Sequence, residues 1–153
     1  MLMFVRPPRE GDAEYIAEHM RESDVNEVRA VTEAPLDDVL RTSVGASYMP
    51  GAVVDMTGKP YALFGAAPRS PLSRIAEPWL LGIPELADHG VWLTKKTRVY
   101  LQQVERVYPV LENFVDARNT ASVAWLRAVG FTLDDPQPFG YRDILFHRFY
   151  KGA

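Results

Sequence analysis

Three short clusters in this chain carry side chains able to do chemistry. Glu85, Asp88 and His89 fall together in "PELADH". A carboxylate or an imidazole there could take a proton from an amine, and an imidazole has the ordinary pKa best placed for that near neutrality. The same groups would equally furnish a polar surface loop. Lys95, Lys96 and Arg98 follow in "TKKTR". They could meet a phosphate or simply form a solvated basic face, although cations near a helix start oppose its dipole. Asn119 precedes "TASVAWLRAVG", where its side chain can cap a helix or hold a ligand.

Other chemistries are poorly supplied. The chain has no cysteine, which removes disulfides, thiolate catalysis and zinc-thiolate sites together. His19 and His147 have no second ligand at usable spacing, so no metal site is expected. No "GxSxG" turn exists to expose a nucleophilic serine. A net charge of −3 gives no bulk attraction to nucleic acid. No apolar run is long enough to span a bilayer, and "MLMFVRPPREGD" loses its apolar character after Val5, too early for a signal peptide. A soluble protein made in the cytoplasm is expected.

The elements that must position these clusters follow from periodicity. With 153 residues, 47% of them hydrophobic and no linker or repeat, a single domain over 1–153 is expected. "LMFVRP" reads as a first strand, Asp12 opens a helix, and Pro35 opens a second with Leu36, Val39, Leu40 and Val44 on one face. "AVVDMTGKPYALFGAAP" reads as a hairpin and "RSPLSRIAEP" as a loop, whose Leu72 and Ile75 could form a contact surface. "WLLGI" is a short buried strand, a long helix runs from Val91 to Tyr108, and "VLENFVD" is the next strand. A helix capped by Asn119 or Thr120 ends at Gly130, with a small strand near "FTL" and a terminal one in "YRDILFHRFYK". A β-α-β-α-β tail behind a hairpin implies a mixed sheet flanked by helices on both faces.

That order, with Asn119, Ser122, Gly130 and Phe131 in register, resembles the GNAT superfamily of acetyl-CoA-dependent N-acetyltransferases. The resemblance implies a twisted mixed sheet of about six to seven strands flanked by helices. It also implies a glycine-rich Arg/Gln-x-x-Gly-x-Gly/Ala turn for the cofactor's pyrophosphate, and a tyrosine four residues before the helix-closing glycine as the acid that protonates the thiolate. Here "GIPELADHG" holds only Gly90 near its end, Pro84 removes a backbone donor, and Leu126 stands at the tyrosine position. Tyr61, Tyr100, Tyr108 and Tyr141 remain as other sources of an acid.

A narrower resemblance fits both departures. "Met-x-x-x-x-Arg-Pro" at the start, "Asn-Thr-x-x-x-x-x-Leu-x-x-x-Gly" from Asn119 and a Lys-Gly tail are similar to the GNAT-like internal virion protein A of short-tailed phages. It implies a virion-associated protein that keeps the fold and has lost the acetyl-CoA site. Its partners would be other virion proteins or itself, in the host cytoplasm and then in the particle. The alternative is a divergent N-acetyltransferase acting on a small-molecule or protein amine. Backbone of Leu81, Gly82 and Ile83, with Gly90 and Asn119, would then hold acetyl-CoA, and Glu85 or His89 would be the base.

Overall fold

In the computed structural model, which describes residues 1–152, one mixed sheet runs through the whole chain. Its strands are β1 (Met3–Arg6), β2 (Tyr48–Asp55), β3 (Pro60–Pro68), β4 (Ile75–Gly82), β5 (Val110–Asp116), β6 (Thr132–Leu133), β7 (Gln137–Phe139) and β8 (Ile144–Lys151). The spatial order is β1-β2-β3-β4-β5-β8-β6, with β7 also on β8. Every pairing is antiparallel except β4 with β5. Flanking helices are α1 (Asp12–His19), α2 (Glu22–Arg29), α3 (Leu36–Ala46), α4 (Gly90–Glu105) and α5 (Thr120–Ala128). A 3-10 helix, Pro84–His89, leads directly into α4.

The parallel contact is short. β4 and β5 pair only at Ile75–Val110 and Ala76–Leu111, and then diverge. Proline accounts for the break. Backbone groups of Pro78 point toward β5, because the Asn113 side-chain amide donates to its carbonyl at 3.0 Å. Pro78 has no N–H to offer a neighbouring strand on that side, so the ladder cannot continue.

Two apolar clusters hold the arms of the opened sheet. One joins α1, α2 and α3 to β2, β3 and β4 through residues such as Ile16, Leu40, Leu63 and Ile83. The other joins α4 and α5 to β5 and β8 through Leu101, Val104, Leu111, Val123 and Phe149. Burial of this apolar surface, at roughly 25 cal/mol per Å², is the main favourable contribution to folding.

The sequence expectations differ from the structure in three places. Helix α2 was not anticipated, because "ESDVNEVR" has only Val25 and Val28 as apolar residues. Its signal is the placement of charge, with Glu22 and Asp24 in the first turn and Arg29 in the last. Strand β4 begins at Ile75, inside the stretch expected to be a loop, since Ala76 to Gly82 pair with β3. Leu72 stays 97% exposed in what remains of that loop. Strand β7 brings the sheet to eight strands rather than six or seven. Three residues containing a proline are too few to show a period.

Candidate functional site

The divergence of β4 and β5 opens a cavity of about 830 Å³. Its walls include a group of aromatic side chains. Phe64 and Tyr100 meet edge to face with ring centroids 5.0 Å apart, and Trp79 is fixed by its Nε1 donating to Ser47 Oγ at 2.8 Å. Trp92 and Trp125 complete that side. Helix α2 contributes Ser23, Asp24 and Glu27 to the lining, and α5 contributes Ser122 and Leu126.

β4 presents backbone to this space. Alternate residues of a strand point their N–H and C=O in opposite directions. Pro78 faces β5 and Gly82 faces α2, where its N–H reaches Asp24 at 3.0 Å and its carbonyl accepts from Arg21 N at 2.9 Å. Leu80, midway between them, therefore turns its N–H and C=O into the gap, and it lines the cavity. Leu81 turns the other way, toward its register partner Leu63 on β3.

Of the residues expected to hold a cofactor, Leu81, Gly90 and Asn119 line the cavity. Gly82 and Ile83 are engaged elsewhere. The Ile83 N–H donates to Tyr61 O at 2.9 Å, and Gly82 is bound by α2 as described. Gly82 is glycine for packing. A Cβ there would sit 2.7 Å from the Tyr61 carbonyl oxygen. No such crowding surrounds Gly90, which has ordinary helical angles.

Asn119 does two things at once. Its side-chain carbonyl caps α5 by accepting from Ser122 N at 3.3 Å. Its amide Nδ2 is buried with no hydrogen-bond partner. A buried unpaired donor costs roughly 1–3 kcal/mol unless a ligand or water satisfies it.

Glu85 and His89, expected as bases, sit on the 3-10 helix and do not contribute to the cavity lining. Glu85 pairs with Lys59 at 3.5 Å, and the His89 ring stands edge-on to Tyr61 with centroids 5.6 Å apart. Among the three basic residues of α4, Lys96 lines the cavity, whereas Arg98 donates to Ala128 O at 2.6 Å. The stretch from Pro84 is a 3-10 helix, which uses N–H groups internally, so it does not form an open nest for an anion.

Leu126, at the position of the expected acid, is only 8% exposed and packs beside Val123 and Val129. Tyr100 is the one tyrosine of the four expected alternatives in the lining, but its hydroxyl donates to the carbonyls of Met49 at 3.0 Å and Tyr48 at 3.3 Å. Burial pushes its pKa well up, which keeps it neutral. Among the described residues no group of three His, Asp or Glu could hold a metal ion, and no helix is long and apolar enough to cross a membrane.

The residue that periodicity did not single out is Glu27. One carboxylate oxygen accepts from Asp116 N at 2.8 Å, tying α2 to the end of β5. Burial, reinforced by Asp24 and Asp116, pushes its pKa up to about 8, against the opposing pull of the Asp116 N–H and Arg21. Asp116 itself is pushed up by burial, but the Arg118 side chain and backbone outweigh this and hold it below the usual carboxylate range.

This architecture is the GNAT fold. The spermidine N-acetyltransferase of Vibrio cholerae, in complex with CoA and spermine, matches with a TM-score of 0.74 at 15% identity, over 98% of this chain and 95% of that one. A GNAT superfamily phosphinothricin acetyltransferase of Sinorhizobium meliloti, in complex with AcCoA, matches at 0.73 and 21% identity, over 100% and 89%. A GCN5-related N-acetyltransferase of Kribbella flavida matches at 0.70 and 16% identity, over 99% and 98%. No family model and no curated protein matches the sequence.

Proposed function

We propose that this chain transfers an acyl group from acetyl-CoA or a related CoA thioester to an amine, in the cleft between β4 and β5. The observation that carries the reading is the opened cleft, into which the backbone of Leu80 turns and which is lined by Asn119, whose buried amide Nδ2 has no partner. Both are suited to an extended amide-bearing chain such as the pantetheine arm. A donor already buried and unpaired gains a bond on binding without a new desolvation cost. The CoA and AcCoA complexes of structures with the same fold support the same assignment.

Two departures from the family pattern shape the proposal. The pyrophosphate has no glycine-rich turn to receive it, so its charge is met by Lys96 from the second turn of α4. With Leu126 in place of an acid, the sulfur leaves as a thiolate. A thiol of ordinary pKa, about 8.5, is an acceptable leaving group without protonation. Asn119 and Leu80 place the thioester, and the aromatic wall of Phe64, Trp79 and Trp92 excludes water from it.

Thermal denaturation with acetyl-CoA tests this. At a ligand concentration of about 100 Kd the stabilisation is about 2.7 kcal/mol, which raises the Tm by about 5–10 °C. No shift at millimolar acetyl-CoA, together with no binding heat by calorimetry, would overturn the proposal.

A further inference from the structure

We infer that Glu27 is the base that takes the proton from the acceptor amine, an inference that rests on the acyl-transfer reading above. Among the described residues, the side-chain carboxylates that line the cavity are Asp24 and Glu27. Asp24 is saturated. It accepts from Gly82 N at 3.0 Å and Arg21 Nε at 2.9 Å, with a second Arg21 nitrogen at 2.8 Å, and its side chain is 2% exposed. Glu27 is half-buried, has no ion-pair partner among the described residues, and uses one oxygen on Asp116 N. Among the described residues no donor reaches its other oxygen. The backbone bond fixes the carboxylate at the end of β5, three residues before Asn119, which shares the lining.

The charged groups around Glu27 are Asp24 and Arg21 beside it and Asp116 with its partner Arg118 on the β5 side. Each cation is held by another carboxylate. Both neighbouring carboxylates disfavour ionisation of Glu27 and favour an ammonium group beside it. An alkyl ammonium ion with a pKa near 10.4 is a poor match for an ordinary glutamate at about 4.3. A base at about 8 narrows that gap to roughly two units.

The reaction balances as follows. The ammonium gives one proton to Glu27, and the freed lone pair attacks the thioester carbonyl carbon. The new C–N bond forms, the C–S bond breaks, and the electron pair leaves on sulfur. The second nitrogen proton is lost to solvent, the thiolate takes up a proton as pH dictates, and Glu27 returns its own to water.

The test is the Glu27→Gln variant, whose amide oxygen can still accept from Asp116 N. Thiol release from acetyl-CoA is followed with spermidine, tyramine, lysine and a lysine-containing peptide as probes, from pH 6 to 10. For the wild type, kcat/KM should rise with pH through about 8. The variant should lose that limb and fall about 100-fold or more at pH 7, while its thermal shift with CoA is unchanged. Wild-type turnover that the variant retains within about twofold, with the same pH profile, overturns the role of Glu27 alone. CoA binding without thiol release to any probe overturns both this inference and the transfer reading. Absence of CoA binding overturns the cleft assignment from which both begin.

Discussion

Asn113 Nδ2 donates to the carbonyl oxygen of Pro78 at 3.0 Å, across the point where β4 and β5 stop pairing. The same side chain turns its Oδ1 back to accept from Phe114 N at 2.9 Å. A side-chain amide thus replaces the backbone ladder that Pro78 cannot extend, and holds the two strands apart at a set distance. The cavity begins at this strut, with Asn113, Pro78, Trp79 and Leu80 all in its lining.

Removing the strut should loosen the cleft. Asn113→Leu leaves the Pro78 carbonyl and the Phe114 N–H without these partners, for a loss of about 1–3 kcal/mol. The Tm should fall by about 2–10 °C, and the acetyl-CoA thermal shift should shrink with it. An unchanged Tm would mean that the packing of Trp79 and Phe114 alone sets the gap.

Glu27 should make stability depend on pH in an unusual direction for a carboxylate. Its folded pKa lies above its unfolded one, so the folded protein binds more protons between them. The stabilisation is therefore full below pH about 4.5 and lost as pH rises through about 8. Glu27→Gln removes this dependence. Urea unfolding should find the variant gaining on the wild type by on the order of 2–4 kcal/mol between pH 5 and 9. A difference that is flat with pH would contradict the raised pKa.

The two glycines of "GIPELADHG" should respond oppositely to alanine. In Gly82→Ala the new Cβ meets the Tyr61 carbonyl oxygen at 2.7 Å and the Leu86 side chain at 3.1 Å, so overpacking costs about 1–3 kcal/mol. Gly90→Ala finds no atom within 4 Å and stands at the first helical position of α4, so it should gain about 0.4–1 kcal/mol. Thermal melts of both variants check the contrast.

Lys96→Ala should weaken CoA binding about tenfold, as expected for losing a charge-assisted hydrogen bond of about 1.5 kcal/mol. Binding of acetyl-pantetheine, which lacks the phosphates, should be unchanged. Calorimetry with both ligands separates a phosphate contact from a general loss of shape.

Much of the frame was legible because it depends on local chemistry. Asn119 caps α5, and Gly130 follows it at φ +112, an angle that other residues rarely adopt. The hairpin around Gly58 and the strand Val110–Asp116 were likewise visible as turn residues between apolar runs. Leu126 could be placed opposite the missing acid by counting back from Gly130. Glu27 was less legible. "PELADH" gathers three titratable groups close in sequence, yet they lie outside the cavity, where Glu85 pairs with Lys59.

By itself the sequence determined element order, the α5 cap and stop, and the absence of a glycine-rich turn, since each is written in neighbouring residues. Only tertiary structure decided which groups face one another. Glu27 and Asp116 are 89 residues apart, and Pro78 and Asn113 are 35 apart. The register of β4 on β3 turns the backbone N–H and C=O of Leu80 toward the cleft and those of Leu81 toward β3. Burial, which raises the pKa of Glu27, is a property of the whole packed surface and belongs to no local stretch of chain.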